Sequence, residues 1–149
     1  MNRARPNKQK GTVAVELAIV LPLFALLLVG TIEFGSIARD HQVLKNAARD
    51  GARFSAQSDW ATVSTDPNVV KQMIQNRVIS YLANERITVA ASDITVDRAY
   101  PVPIGALTVN GTKITVRYAR PLIIPGAASF IPQLASFQLT GDAVFRNFY

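Results

Sequence analysis

From Gly11 to Ile32 the chain is almost uninterruptedly apolar, with one carboxylate, Glu16, five residues after the opening glycine. The 20 residues from Val13 to Ile32 would span about 30 Å as a helix, the hydrocarbon thickness of a bilayer. The pattern therefore predicts one membrane-crossing helix. Past Glu33 the apolar positions become periodic. Leu44, Ala47, Ala48, Gly51, Ala52 and Ser55 recur at intervals of three and four, while Lys45, Arg49, Asp50 and Arg53 occupy the other faces. One helix from about Thr12 to about Ala56 accounts for both stretches; two helices broken near Gly35 are the alternative. The small-residue stripe would let another element approach its backbone closely.

Asp59 to Pro67 reads as a connection, with Asp66 as N-cap and Pro67 opening a second helix that reaches Ala83. Val70, Met73, Ile74, Val78 and Leu82 are its expected core face. Beyond Asn84 the period changes to two. Ile94 to Tyr100, Leu107 to Val109 and Thr112 to Tyr118 alternate, and Asn110-Gly111 between the last two predicts a tight hairpin turn. Pro121 to Pro132 is expected as a loop covering the sheet, and Phe137 to Arg146 as a last strand bulged at Gly141. The predicted class is α+β: a long N-terminal helix, a second helix and a small antiparallel sheet. The expected organisation is a basic leader at 1–11, a membrane helix at 12–33, its exported extension at 34–58 and an exported domain at 59–149.

Charge orients this plan. The formal net charge is +6, and Arg3, Arg5, Lys8 and Lys10 precede the apolar run with no acid among them. The positive-inside rule keeps that leader cytoplasmic and exports the chain beyond Ile32, so the excess reports topology rather than a nucleic-acid partner. With no cysteine, disulfides, thiol nucleophiles and zinc-thiolate sites are excluded. The single histidine, His41, stands beside Asp40, and the acids Asp59, Asp66, Glu85, Asp93, Asp97 and Asp142 are scattered without metal-ligand spacing. No enzyme, metal or cofactor is expected. Lys45, Arg49 and Arg53 form a basic stripe, read either as a solvated face or as a dock for an acidic neighbour or anionic lipid. Trp60, Phe145, Phe148 and Tyr149 are expected in packing.

A carboxylate inside hydrocarbon costs roughly 2.5 to 3.5 kcal/mol on insertion scales, so Glu16 calls for a partner unless it snorkels to the interface. A short basic leader, a glycine, and an apolar helix with glutamate at its fifth residue resemble the processing signal of type IV pilin-like proteins. That resemblance implies a prepilin-peptidase cut between Gly11 and Thr12, and pairing of Glu16 with the new Thr12 amine of a neighbouring subunit. Gly11-Thr-Val-Ala-Val-Glu16-Leu-Ala-Ile-Val-Leu-Pro22, with Glu33, Ala47, Ala48 and Arg53 at their spacings, is similar to the TadE-like family of tight-adherence pilus systems. The family implies a non-catalytic minor pseudopilin that assists assembly or anchoring of an Flp-type pilus. The implied setting is a bacterial inner membrane with the N-terminus cytoplasmic. Implied partners are the lipid bilayer, other pilin or pseudopilin subunits, a prepilin peptidase and the inner-membrane platform. Leu17 stands where major Flp pilins carry tyrosine after the glutamate, which argues against the bulk filament subunit. Pro22 removes one helical hydrogen bond, and is read either as a kink or as a proline that a membrane helix tolerates.

Two rival readings have other consequences. Ser36-Ile37-Ala38 presents small residues at signal-peptidase spacing, and a cut there would release a domain beginning at Arg39. Against it, the apolar run exceeds the usual h-region of about 7 to 15 residues and contains a glutamate. An uncleaved single-pass anchor in an envelope or secretion complex is the other.

Overall fold

The structure, a computed structural model, describes residues 8–57, 60–122 and 136–147. Two compact units divide the chain, Met1–Ser36 and Ile37–Tyr149. Helix α1 runs without interruption from Lys8–Gln57, so Gly35 is no breakpoint. A short helix α2, Trp60–Val63, follows. Helix α3, Pro67–Asn84, starts on an Asp66 cap whose carboxylate accepts the Asn68 amide at 2.8 Å, satisfying an N–H that has no partner within the helix. It ends with Ile87 N–H on the Leu82 carbonyl and Arg86 N–H on that of Ala83, with Arg86 at φ 63°. This is the six-to-one, left-handed closure that usually selects glycine. Three antiparallel strands complete the fold: β1 (Ile94–Ile104), β2 (Leu107–Pro121) and β3 (Ser136–Arg146), in spatial order β1-β2-β3. The class is α+β.

The hairpin turn does not form at Asn110-Gly111. Ile104 pairs with Leu107, so the two-residue turn is Gly105-Ala106, with Gly105 at φ 61° as a type II′ turn requires at its first central position. Strand β1 continues past Tyr100 through Pro101 and Pro103 because it is an edge. In a two-residue hairpin the pair Ile104–Leu107 is hydrogen-bonded, so positions 101 and 103 point their nitrogens away from β2, where no N–H is needed. Gly111 instead lies inside β2, opposite Tyr100 and Arg146. A side chain there would meet Val102 Cγ2 at 2.6 Å and the Phe145 carbonyl oxygen at 2.7 Å.

The bulge also falls elsewhere. Pairing is regular through Gly141, opposite Val116, but slips between Asp97 and Tyr100, where Arg98 and Ala99 share the single opposing residue Thr112. Before the slip the even residues Ile94 and Val96 pair with Val116 and Ile114, which are buried. After it, Tyr100, Val102 and Ile104 pair with odd β2 positions on the opposite face.

The core of Ile37–Tyr149 lies between that buried face, α3 and the C-terminal half of α1, and joins Leu44, Ala48, Ile74, Val78, Leu82, Ile114 and Val116. Met73 is not part of it, being 38 % exposed; Gln75 is buried in its stead. The Gln75 amide donates to the carbonyls of Ala91 and Ile94 at 2.9 and 3.0 Å, which removes the penalty for burying it. Of the loop expected at Pro121 to Pro132, Pro121 belongs to β2; residues 123–132 lie outside the described residues, as do the leader arginines Arg3 and Arg5, Asp59, Phe148 and Tyr149.

Candidate functional site

Within Met1–Ser36 the apolar run is helical throughout and its large side chains are exposed, including Val13, Leu17, Val20, Phe24, Leu27 and Ile32. By length and composition this helix is able to cross a membrane. Its polar groups fit such a setting. Thr31 Oγ1 donates to the Leu27 carbonyl at 2.8 Å and Ser36 Oγ to that of Ile32 at 2.7 Å, so both hydroxyls are satisfied inside the helix. Pro22 sits within the helix and brings no N–H for the Ala18 carbonyl, yet the helix continues through it.

Glu16 has no hydrogen-bond or ion-pair partner among the described residues and is exposed. It shares a shallow face with Val13, Leu17 and Val20, the spacing of one helical stripe. A carboxylate ringed by aliphatic side chains is a strong acceptor that wants a cation. Gly11 is exposed as well, and nothing would stand within 4 Å of a side chain placed there. The next carboxylate, Glu33, is buried, at 7 % exposure.

In the second unit α1 turns a stripe of small residues inward. Leu44, Ala47, Ala48, Gly51, Ala52 and Ser55 are all buried. Gly51 lies against Val78 of α3 and Ile114 of β2, and Gly141 of β3 lies against the backbone of α1, where a Cβ would stand 2.7 Å from both Leu44 Cβ and the Lys45 nitrogen. The isolated glycine in β3 therefore serves close helix–sheet approach, the second meaning such a glycine carries besides a bulge.

Polar contacts pin this packing. Thr112 donates to Asn147 Oδ1 at 2.8 Å, which leaves the Ser55 hydroxyl as the donor in their 2.9 Å contact. The Trp60 indole donates to the Ser55 carbonyl at 2.7 Å. Asp40 accepts from Arg120 Nε at 2.6 Å, with both side chains largely withdrawn from water. That pair joins residues 80 apart, and no local spacing could have revealed it. Asp40, the neighbour of His41 in sequence, is thus bonded across the fold to β2. Arg77 bonds Asp50 at 2.7 Å, and that hydrogen bond and the carboxylate's charge raise its pKa. Arg98 stacks its guanidinium over Trp60 with Nε buried and unbonded, and burial lowers its pKa. Among the described residues no group of three or more histidine, cysteine or acidic side chains is arranged to hold a metal.

A family model described as TadE-like protein matches residues 11–53. It covers Gly11, Glu16, Pro22, the small-residue stripe as far as Ala52, and Arg53, and it is the family that the motif resembles. No curated protein and no solved structure matches the chain.

Proposed function

We propose that the chain is a membrane-anchored, non-catalytic minor pseudopilin of a tight-adherence pilus. The observation that supports this reading most is the stretch of α1 matched by the family, in which an unpartnered Glu16 lies in an exposed apolar helix a few residues from Gly11. In this reading the leader stays in the cytoplasm and a prepilin peptidase cuts between Gly11 and Thr12. The new Thr12 amine then supplies the cation for Glu16 of a neighbouring pilin or pseudopilin subunit. Two charges that are each costly in hydrocarbon become tolerable as a pair, and the pair fixes axial register between helices. The domain after residue 33 is exported from a bacterial inner membrane and meets other subunits or the assembly platform.

Intact mass of the membrane-extracted protein tests the cut. A mass beginning at Thr12 in wild type and at Met1 in Gly11→Leu is expected; identical processing of the two removes the role of Gly11. Glu16→Ala is expected to insert normally and to lower piliation, and unaltered piliation would remove the register role.

The released-domain reading is disfavoured by one specific contact. Ala38 lies inside α1, and Ile37 packs against the core of the second unit, so a cut after Ala38 would strip a packed residue from the domain it frees.

A further inference from the structure

Between Ile37 and Gln57, α1 carries two acids, Asp40 and Asp50, and four cations, Arg39, Lys45, Arg49 and Arg53. Other elements take both acids: Asp40 bonds Arg120 of β2, and Asp50 bonds Arg77 of α3. Arg39 is matched by Glu85 at 3.2 Å. What remains is the series Lys45, Arg49 and Arg53, exposed and without a carboxylate partner among the described residues. Arg53 makes only a 3.3 Å contact to Gln57 Oε1. Spacing by four places the three cations on one side of the helix at intervals of about 6 Å.

We infer that Lys45, Arg49 and Arg53 form a docking edge for a different protein, one that presents carboxylates at helical-turn spacing. Three features select this occupant. The remaining exposed residues of the face are Ala38, Gln42, Asn46 and Gln57. It therefore has none of the large apolar side chains by which an interfacial helix enters a lipid surface. A second copy of the chain presents no row of carboxylates at that spacing among its described residues beyond Ile37. Asp40, Asp50 and Glu85 are each paired with an arginine of their own chain. Asp66, Asp93, Asp97 and Asp142 are exposed carboxylates, but none lies within an α-helix: Asp66 caps α3, Asp93 precedes β1, Asp97 lies in β1 and Asp142 in β3. Finally, the guanidinium groups of Arg49 and Arg53 suit carboxylates through paired N–H donors, which adds geometry to charge. The inference is independent of the pilus assignment.

The test uses the full-length protein in its native cells with a photoreactive residue in place of Asn46, beside the stripe. The expected product is a cross-link to one other protein, at a site with two or more Asp or Glu within a helical turn. Arg49→Glu is expected to reduce its yield at least tenfold, and a carboxylate-to-lysine change at the cross-linked site to restore it. Lys45→Gln with Arg53→Gln is expected to lower the yield comparably, with the unfolding midpoint of each variant unchanged. An adduct to this chain itself, to phospholipid or to nucleic acid overturns the inference. So does the absence of any adduct, or a yield indifferent to these substitutions.

Discussion

Between Val13 and Ile32 the apolar side chains of α1 are mostly large, and the large ones are exposed, from 39 % at Val29 to 69 % at Ile19. Between Leu44 and Ala56 the buried positions are mostly alanine and glycine. The glycines divide in the same way. Gly11, Gly30 and Gly35 have nothing within 4 Å of a notional Cβ, whereas Gly51 and Gly141 meet packed atoms at once. Side-chain size in this helix follows the presence of a folded neighbour. A rigid sheet admits a helix closely only where side chains are small, whereas the exposed stretch keeps the bulky residues that give it the length and apolar character to cross a membrane.

The sharpest way to break this contrast is to make the same change in each stretch and measure urea unfolding of the detergent-solubilised chain through its one tryptophan, Trp60. Leu44→Ala removes a side chain with no exposure and is expected to cost about 3 kcal/mol, within the range for core leucines. Leu26→Ala is expected to leave the transition where it was. Gly141→Ala should cost about 2 kcal/mol, because the added methyl presses on α1 backbone that cannot swing aside; Gly30→Ala should cost nothing. Equal losses in either pair would show that exposure of the first stretch is not what separates the two. The smallest contrast is between hydroxyls. Thr112→Val breaks the chain from Ser55 to Asn147 and is expected to cost about 1 kcal/mol. Thr31→Val gives up only a bond to its own helix and should leave the unfolding midpoint unmoved.

The two long helices were legible in the sequence because their signals are local: a period near 3.6, the Asp66-Pro67 start and an unbroken apolar run. The four-residue α2 was not, since it falls inside the stretch read as a connection and is too short to show a period. The sheet was legible as strands but not in register. Asn110-Gly111 carries the stronger turn signature in isolation, yet Gly105 closes the hairpin. The reason lies in tertiary placement: β1 is an edge, which frees Pro101 and Pro103 to continue it. Gly141 had two readings, bulge or close approach, and only the position of Leu44 separates them. At the candidate site, the spacing of Gly11 and Glu16 is a sequence property from the start. The lack of a carboxylate partner for the basic stripe is not, since it depends on Asp50 being bonded by Arg77, 27 residues away.

The slip at Arg98 and Ala99 has a consequence for the length of the chain. Arg98 and Ala99 share one partner, and the pairs on either side, Asp97 with Lys113 and Tyr100 with Gly111, are already in the register a regular ladder would have if one of the two were missing. The exposed Ala99, held by its amide on the Asp97 carboxylate at 3.0 Å, is thus a spare. A chain one residue shorter here would keep every later side chain of β1 on its present face, so this strand tolerates a deletion at the one place where its alternation is already interrupted.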